Sequence, residues 1–167
     1  MSAPFFTLAA IRRLGATDDQ VGGFTLILVA SQALTNLLWG FLGDKKGYKL
    51  LTALGATGQI MAALLAVWAN SINLFYVVFA LTGAALSLEM IASLNIVLEF
   101  GPTEERPTYI GLANTIRSPF LGLAPILGGI IADRFSLGSV FLTTAALVIL
   151  GLLWLSFLVV EPRKYNL

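Results

Sequence analysis

The sequence predicts an all-α membrane protein with five complete transmembrane helices and a partial helix at the N-terminus. Composition is the first reason, because 57% of the 167 residues are hydrophobic, 11% are charged and the mean hydropathy is +0.88. Such values are typical of membrane proteins. The second reason is that five windows carry few charges over about 20 residues, the length at which a helix crosses a bilayer. The third is a short charged turn between two of these windows.

The five predicted spans are residues 22–43, 50–69, 73–98, 108–132 and 137–160. The last is apolar on every side, whereas a soluble helix would carry a polar face. The fourth contains Pro119 and Pro125, which predict a kinked, adaptable helix because each proline removes a main-chain hydrogen bond. Ahead of the spans, residues 3–14 form a partial helix with too few apolar positions before Arg12 and Arg13 to cross a bilayer. We interpret it as part of a membrane helix whose first half is missing, or alternatively as an interfacial segment.

Lysine and arginine in the short loops predict the orientation in the membrane. One side carries Lys45, Lys46, Lys49, Arg106, Arg163 and Lys164. The other side carries Arg12, Arg13 and Arg134. The more positive side is expected in the cytoplasm, which places residues 40–49 and the C-terminus there. We expect a multi-pass integral protein of the bacterial inner (plasma) membrane.

The residue types that most enzymes use are scarce. The sequence has no cysteine and no histidine, which removes thiol chemistry and the commonest metal ligand and general base. The carboxylates form no obvious pair on one helical face. No phosphate-binding glycine loop and no basic run typical of nucleic-acid binding occur. The sequence therefore predicts no enzyme, cofactor, metal site or nucleic-acid partner.

Two ionisable residues lie deep within predicted spans. Glu89 is ten residues before Glu99 and Arg117 is ten after Pro107, so both lie about 15 Å from the same boundary. A lone charge at the centre of a membrane helix costs roughly 2.5–3.5 kcal/mol. Equal depth on neighbouring helices predicts an ion pair. The pair either holds two helices together or lines an aqueous cavity, where it would bind a substrate or relay a proton.

Other polar positions within the spans give weaker predictions. Asn114 precedes Arg117 by almost one turn and belongs with it. Gln32 and Asn36 are one turn apart and either face a cavity or hydrogen-bond a neighbouring helix. Gln59 shares its face with small residues, which is typical of close packing between helices.

The turn at residues 40–49 reads Gly-Phe-Leu-Gly-Asp-Lys-Lys-Gly-Tyr-Lys. It resembles the cytoplasmic loop signature of the major facilitator superfamily of secondary transporters, Gly-x-Leu-(Ala/Gly)-Asp-(Arg/Lys)-x-Gly-x-(Arg/Lys). Residues 102–106, the Pro125-x-x-Gly-Gly element and Asp133 resemble the family's sequence after the fourth helix of a half. The Pro125 element also resembles a signature of drug/proton exporters, except that Ala124 replaces a glycine.

The resemblance implies a half bundle of the family's type, containing helices two to six and the end of helix one. We favour the C-terminal half, with the other half of the transporter as its missing partner. The bilayer, a small-molecule substrate and protons are the other expected partners. In the family, helices one, two, four and five of a half line the cavity, which places Gln32, Asn36, Glu89, Asn114 and Arg117 on cavity-side helices. The same resemblance places Gln59 at the periphery of the bundle.

The resemblance also implies a conformational latch in the signature turn, where the family's aspartate pairs with basic residues. The residues assigned to this latch are Gly40, Asp44, Lys45, Gly47, Lys49 and Glu99. Lys46 and Tyr48 depart from the family's usual arginines, which puts bidentate pairing in question. The predicted function is secondary active transport of a small solute by alternating access. The alternative is a truncated or partner-dependent membrane protein with a structural role and no transport of its own.

Overall fold

A computed structural model describes residues 3–99 and 105–159, and these residues form six α-helices. The helices are α1 Ala3–Leu14, α2 Asp18–Lys46, α3 Tyr48–Trp68, α4 Ile72–Glu99, α5 Arg106–Arg134 and α6 Leu137–Leu158. Helices α2 to α6 are each long and apolar enough to cross a membrane. The predicted all-α fold class is confirmed, with five spanning helices and a shorter first helix.

Consecutive helices run in opposite directions, so the bundle has two ends. We call one the Gly47 end, where α2 meets α3 and α6 finishes, and the other the Gly15 end, where α1 meets α2. Side chains confirm the alignment at both ends. Arg13 at the end of α1 donates to the Ala66 carbonyl at the end of α3, at 3.2 Å. At the Gly47 end, Lys49 donates to the Val159 carbonyl just after α6, at 2.7 Å.

Helix α2 is longer than hydropathy predicted, because polar residues at both ends join it. It begins at Asp18, and the Thr17 main-chain N–H donates to Oε1 of Gln20 at 3.1 Å. This contact satisfies one of the donors that a helix start leaves unpaired.

Helix α5 is a single helix that continues through Pro119 and Pro125. Helices α2 and α5 are the most exposed of the five spans, and α4 is the most buried.

Two interfaces of α4 depend on small residues that let main chains approach. A Cβ at Gly83 would lie 2.3 Å from the carbonyl oxygen of Leu28, so α2 and α4 touch through their backbones there. On the α3 side, a Cβ at Gly55 would lie 3.2 Å from Leu88, and one at Gly58 would lie 3.2 Å from the Cβ of Ala85. Helices α2, α3 and α4 therefore form a closely packed unit.

The larger hydrophobic core lies toward the Gly15 end, where α1 sits among α3, α4 and α6. The Phe6 ring of α1 lies 5.0 Å from that of Phe141 on α6 and 6.3 Å from that of Phe79 on α4. Phe79 in turn stacks on Phe24 of α2 at 4.9 Å. A smaller buried cluster lies toward the Gly47 end and contains Tyr48, Leu51, Leu88 and Ala92. The core is thus largest where α1 fills the centre of the bundle.

Candidate functional site

Glu89 and Arg117 form an ion pair between α4 and α5. Nη2 of Arg117 donates to Oε1 of Glu89 at 2.9 Å, the distance of a charge-assisted hydrogen bond. The Arg117 side chain is 43% exposed and that of Glu89 is 55% exposed. The contact expected from their equal depth is therefore present, and much of both side chains remains available to another group.

The ion pair lies in an opening between α3, α4, α5 and α6, which we call the groove. Its volume is about 490 Å³. Its wall is mainly apolar, and it includes Ala56 and Gln59 of α3, Glu89 of α4, Asn114 and Arg117 of α5, and Val148 of α6. A mostly apolar wall with a few converging polar groups is typical of a ligand pocket. The same composition also suits the packing of a membrane helix.

Within the groove, Asn114 and Gln59 accompany the ion pair. Asn114 lines it almost one turn from Arg117, as the spacing predicted. Gln59 differs from its expectation, because it lines the groove instead of lying at the periphery. Gly55, one of the small residues on the same face, packs closely on α4. The position of Gln59 midway along α3 gives its depth, which is similar to that of Glu89 on α4, but it does not show that Gln59 faces the groove.

Gln32 and Asn36 are not among the residues that line the groove. Both are on α2, and the Asn36 side-chain oxygen accepts a hydrogen bond from the Ser87 hydroxyl of α4. Ser87 is fully buried, so this bond satisfies a polar group inside the helix interface. The sequence left two alternatives for Gln32 and Asn36, a cavity or a hydrogen bond to a neighbouring helix. The contact of Asn36 is of the second kind.

The signature turn has a definite geometry. Gly47 ends α2 and begins α3 with φ 87° and ψ 156°, a conformation that essentially only glycine adopts without strain. The Tyr48 hydroxyl donates to Oδ1 of Asp44 at 2.7 Å. A Cβ at Gly43 would lie 2.6 Å from the Tyr48 ring, so the missing side chain makes room for that ring. Tyr48, which departs from the family pattern, is thus a partner of Asp44 that the sequence did not predict.

The basic residues of the turn have described contacts with the end of α6 and with the Phe41 ring. Lys49 directs its ammonium group to the Val159 and Ser156 carbonyls at the end of α6, at 2.7 and 3.4 Å. The C-terminal end of a helix carries partial negative charge, which favours a cation there. Lys45 lies 4.2 Å from the centre of the Phe41 ring. Gly40 is an ordinary position within α2, and the side chain of Glu99 lies outside the described part of the chain.

Comparison with known proteins identifies the family to which the sequence belongs. The sequence matches the model of the Major Facilitator Superfamily over residues 1–166. The chain belongs to the major facilitator superfamily. The match covers nearly the whole sequence, and the signature turn and the apolar helices agree with it. The chain is accordingly a multi-pass integral membrane protein, and its family consists of membrane transporters.

Similar proteins come from several bacteria. The chain is 29% identical to Multidrug resistance protein MdtG of Klebsiella pneumoniae over 163 residues, which cover 95% of this chain and 39% of that protein. It is 28% identical to Multidrug resistance protein MdtL of a Shewanella species over 141 residues, 84% of this chain and 35% of that protein. This chain therefore spans about 40% of the length of such relatives. At family level, these similarities support transmembrane transport.

The described residues offer no candidate metal site. Among residues 3–99 and 105–159, no three histidine, cysteine, aspartate or glutamate side chains are grouped so that they could hold a metal ion. The candidate site therefore consists of the ion pair and its polar neighbours Asn114 and Gln59.

Proposed function

We propose that this chain is one half of a secondary transporter, expected to be the C-terminal half, which moves a small solute by alternating access. The observation that carries the proposal is the half-exposed ion pair of Glu89 and Arg117. Charged side chains at this depth are costly against lipid, so their exposed surface requires water, a solute or protein beside it. In transporters, such groups border the path of the solute or of the coupling ion.

The ion pair offers a way to couple binding to movement. A protonated Glu89 carries no charge and would hold Arg117 less strongly, and a solute group that bonds Arg117 would compete with Glu89. Either event would loosen the contact between α4 and α5. We propose protons as the coupling ion for this reason, with Glu89 as the group that carries them.

The signature turn is proposed as the latch that stabilises one conformation. Its rigid reversal at Gly47 fixes Asp44 beside Tyr48, while Lys49 holds the start of α3 to the end of α6. The expected roles of Gly40, Lys45 and Glu99 in this latch remain part of the proposal. From the loop charges, we propose that the turn and the C-terminus lie in the cytoplasm of a bacterial cell.

The names of the relatives suggest the class of solute. MdtG and MdtL are multidrug resistance proteins by name, and the groove wall is mainly apolar. We propose small organic molecules as the solutes. Because this chain spans about 40% of such relatives, transport requires a complementary half.

The test is a chimera in which this chain replaces the matching segment of Klebsiella pneumoniae MdtG. Dye transport is measured in vesicles for the chimera and for Glu89→Gln, with Glu105→Gln as the control because Glu105 lies at the start of α5 and is exposed. We expect Glu89→Gln to reduce transport at least about tenfold, equivalent to 1.4 kcal/mol. Glu105→Gln should transport normally. Full transport by Glu89→Gln would remove the pair from the pathway.

A charge exchange separates transport from helix attachment. Glu89→Arg combined with Arg117→Glu keeps an ion pair between α4 and α5. If the pair is part of the transport pathway, the exchanged protein folds but remains inactive. If exchange restores transport, the pair only holds the two helices together. An inactive but folded parent chimera would favour the alternative structural role of the chain.

A further inference from the structure

We propose that the exposed side of α2 near the Gly47 end binds an anionic phospholipid. The lipid phosphate lies at Lys45 and Lys46, and an acyl chain lies along the helix below them. This proposal concerns a lipid contact on the outside of the bundle, and it holds whether or not the chain takes part in transport.

An apolar strip on α2 leads to the first of these lysines. Leu34, Leu38, Phe41 and Lys45 follow one another at intervals of four, three and four residues, which places them on one side of the helix. We call this set the α2 strip. Its apolar members are 74%, 63% and 64% exposed, and Lys45 is exposed as well. The described helices thus leave the α2 strip uncovered, and in a membrane protein such a surface faces lipid or another protein segment.

The length of the α2 strip matches one leaflet of a bilayer. Leu34 and Lys45 are eleven residues apart, a rise of about 16 Å, and half of the hydrocarbon core is about 15 Å thick. Below Leu34 the same spacing reaches Ser31, which lines a mainly apolar cleft of about 450 Å³ between α2 and α4. The Ser31 hydroxyl already donates to the Ala80 carbonyl. An acyl chain that starts at Lys45 therefore meets apolar surface along its length.

The charges at the end of the α2 strip select the headgroup. The Lys45 ammonium lies 4.2 Å from the centre of the Phe41 ring, so a positive charge sits directly over the apolar surface. Within the described residues, neither Lys45 nor its exposed neighbour Lys46 forms an ion pair. Lysines at a membrane surface attract anionic lipids. A lipid with a net negative charge is therefore favoured over phosphatidylcholine, whose own cation the lysines repel.

The other charged residues of the turn are directed elsewhere. Asp44 lies about 100° around the helix from Lys45, and its carboxylate accepts a hydrogen bond from the Tyr48 hydroxyl. The Lys49 ammonium donates to the Val159 carbonyl at the end of α6. The lipid site thus consists of Lys45, Lys46 and the apolar strip, and it is separate from the proposed latch contacts of Asp44 and Lys49.

Photo-crosslinking tests the proposal, since the chain has no cysteine of its own. Leu38→Cys carries benzophenone maleimide on the α2 strip. Leu150→Cys on α6 is the matched control, because Leu150 is 62% exposed and Leu38 is 63% exposed. Each position lies eight residues before the last residue of its helix. Both forms are irradiated in vesicles of equal parts phosphatidylglycerol and phosphatidylcholine, and the lipid adducts are identified by intact-protein mass spectrometry.

We expect phosphatidylglycerol adducts to exceed phosphatidylcholine adducts at least about fivefold at position 38, and the two to be equal at position 150. Lys45→Gln should lower the preference at position 38. Lys49→Gln removes the same charge at the same end of the bundle and should leave the preference unchanged.

Equal amounts of the two lipids at position 38 would overturn the proposal. So would a lack of lipid adducts there, which would mean that protein covers the α2 strip. Equal losses of preference in the two lysine variants would also overturn it, because the lipid would then respond to the overall charge of the Gly47 end and not to a site. The comparison of positions 38 and 150 needs no lysine variant, so the test holds even if one of these variants fails to insert.

Discussion

Replacing Gly83 with alanine tests how closely α2 and α4 are held together. A Cβ at Gly83 would lie 2.3 Å from the main-chain oxygen of Leu28, an atom that cannot swing aside. An ordinary contact begins at 3.4 Å, so the helices would have to separate by about 1 Å. The hydrogen bond from the Ser31 hydroxyl to the Ala80 carbonyl, now 2.7 Å, would then stretch to about 3.8 Å, beyond hydrogen-bond range.

The expected cost follows from these changes. Overpacking typically costs about 1–3 kcal/mol, and each lost hydrogen bond between membrane helices about 0.6 kcal/mol. Alanine gains about 1 kcal/mol over glycine in helix propensity. We therefore expect Gly83→Ala to lower the free energy of unfolding by about 0.6–2.6 kcal/mol. The assay is unfolding by sodium dodecyl sulfate in mixed micelles, followed by circular dichroism.

Gly122→Ala is the matched control, because a Cβ there meets nothing within 4 Å. It should leave the unfolding midpoint unchanged or raise it. If Gly83→Ala unfolds at the same detergent fraction as the original chain, α2 and α4 do not approach each other as described, and the reasoning from backbone contact is refuted.

Three further predictions concern the signature turn and use the same unfolding assay. Gly47→Ala should lower the free energy of unfolding by about 1–3 kcal/mol, because Gly47 has a positive φ. Gly40→Ala should leave it unchanged, because a Cβ at that position meets open space. Equal effects of the two substitutions would contradict this reason. Tyr48→Phe should cost about 0.5–1.5 kcal/mol by removing the hydrogen bond to Asp44, and an unchanged midpoint would mean that the bond contributes nothing. Lys49→Met should lower the free energy of unfolding by about 0.3–1 kcal/mol at low salt, because it removes the cation at the end of α6. The loss should be smaller at high salt, where charges are screened. A loss of stability that does not depend on salt would exclude the electrostatic cause.

The fold class could be predicted because hydrophobic length is a property of the sequence alone. Lipid requires about 20 apolar residues for each spanning helix, and that requirement is visible without any tertiary contact. Helix ends were less predictable, since polar residues such as Asp18 and Asp19 extend α2 beyond its apolar window. The Thr17 and Gln20 pair was the sequence signal for this earlier start.

The ion pair could be anticipated for a similar reason. Charges within spans are rare, and the helical rise converts their sequence positions into depth. The placement of Gln59 could not be obtained in this way, because depth does not show which side of α3 faces α4 and α5. The contacts of Lys49 and Tyr48 depend on the lateral arrangement of helices and on the reversal at Gly47, which spacing along the chain does not encode.

The way in which α5 is attached distinguishes it from the rest of the bundle. Helices α2, α3 and α4 contact one another through glycines with closely approaching neighbours, and moving them would cost packing along whole interfaces. In α5, by contrast, Gly111, Gly122 and Gly129 have open space where a Cβ would be. Its described contacts with α4 include the directional bond between Arg117 and Glu89. Loss of that ion pair would therefore shift α5 more than the loss of one contact would shift α2, α3 or α4.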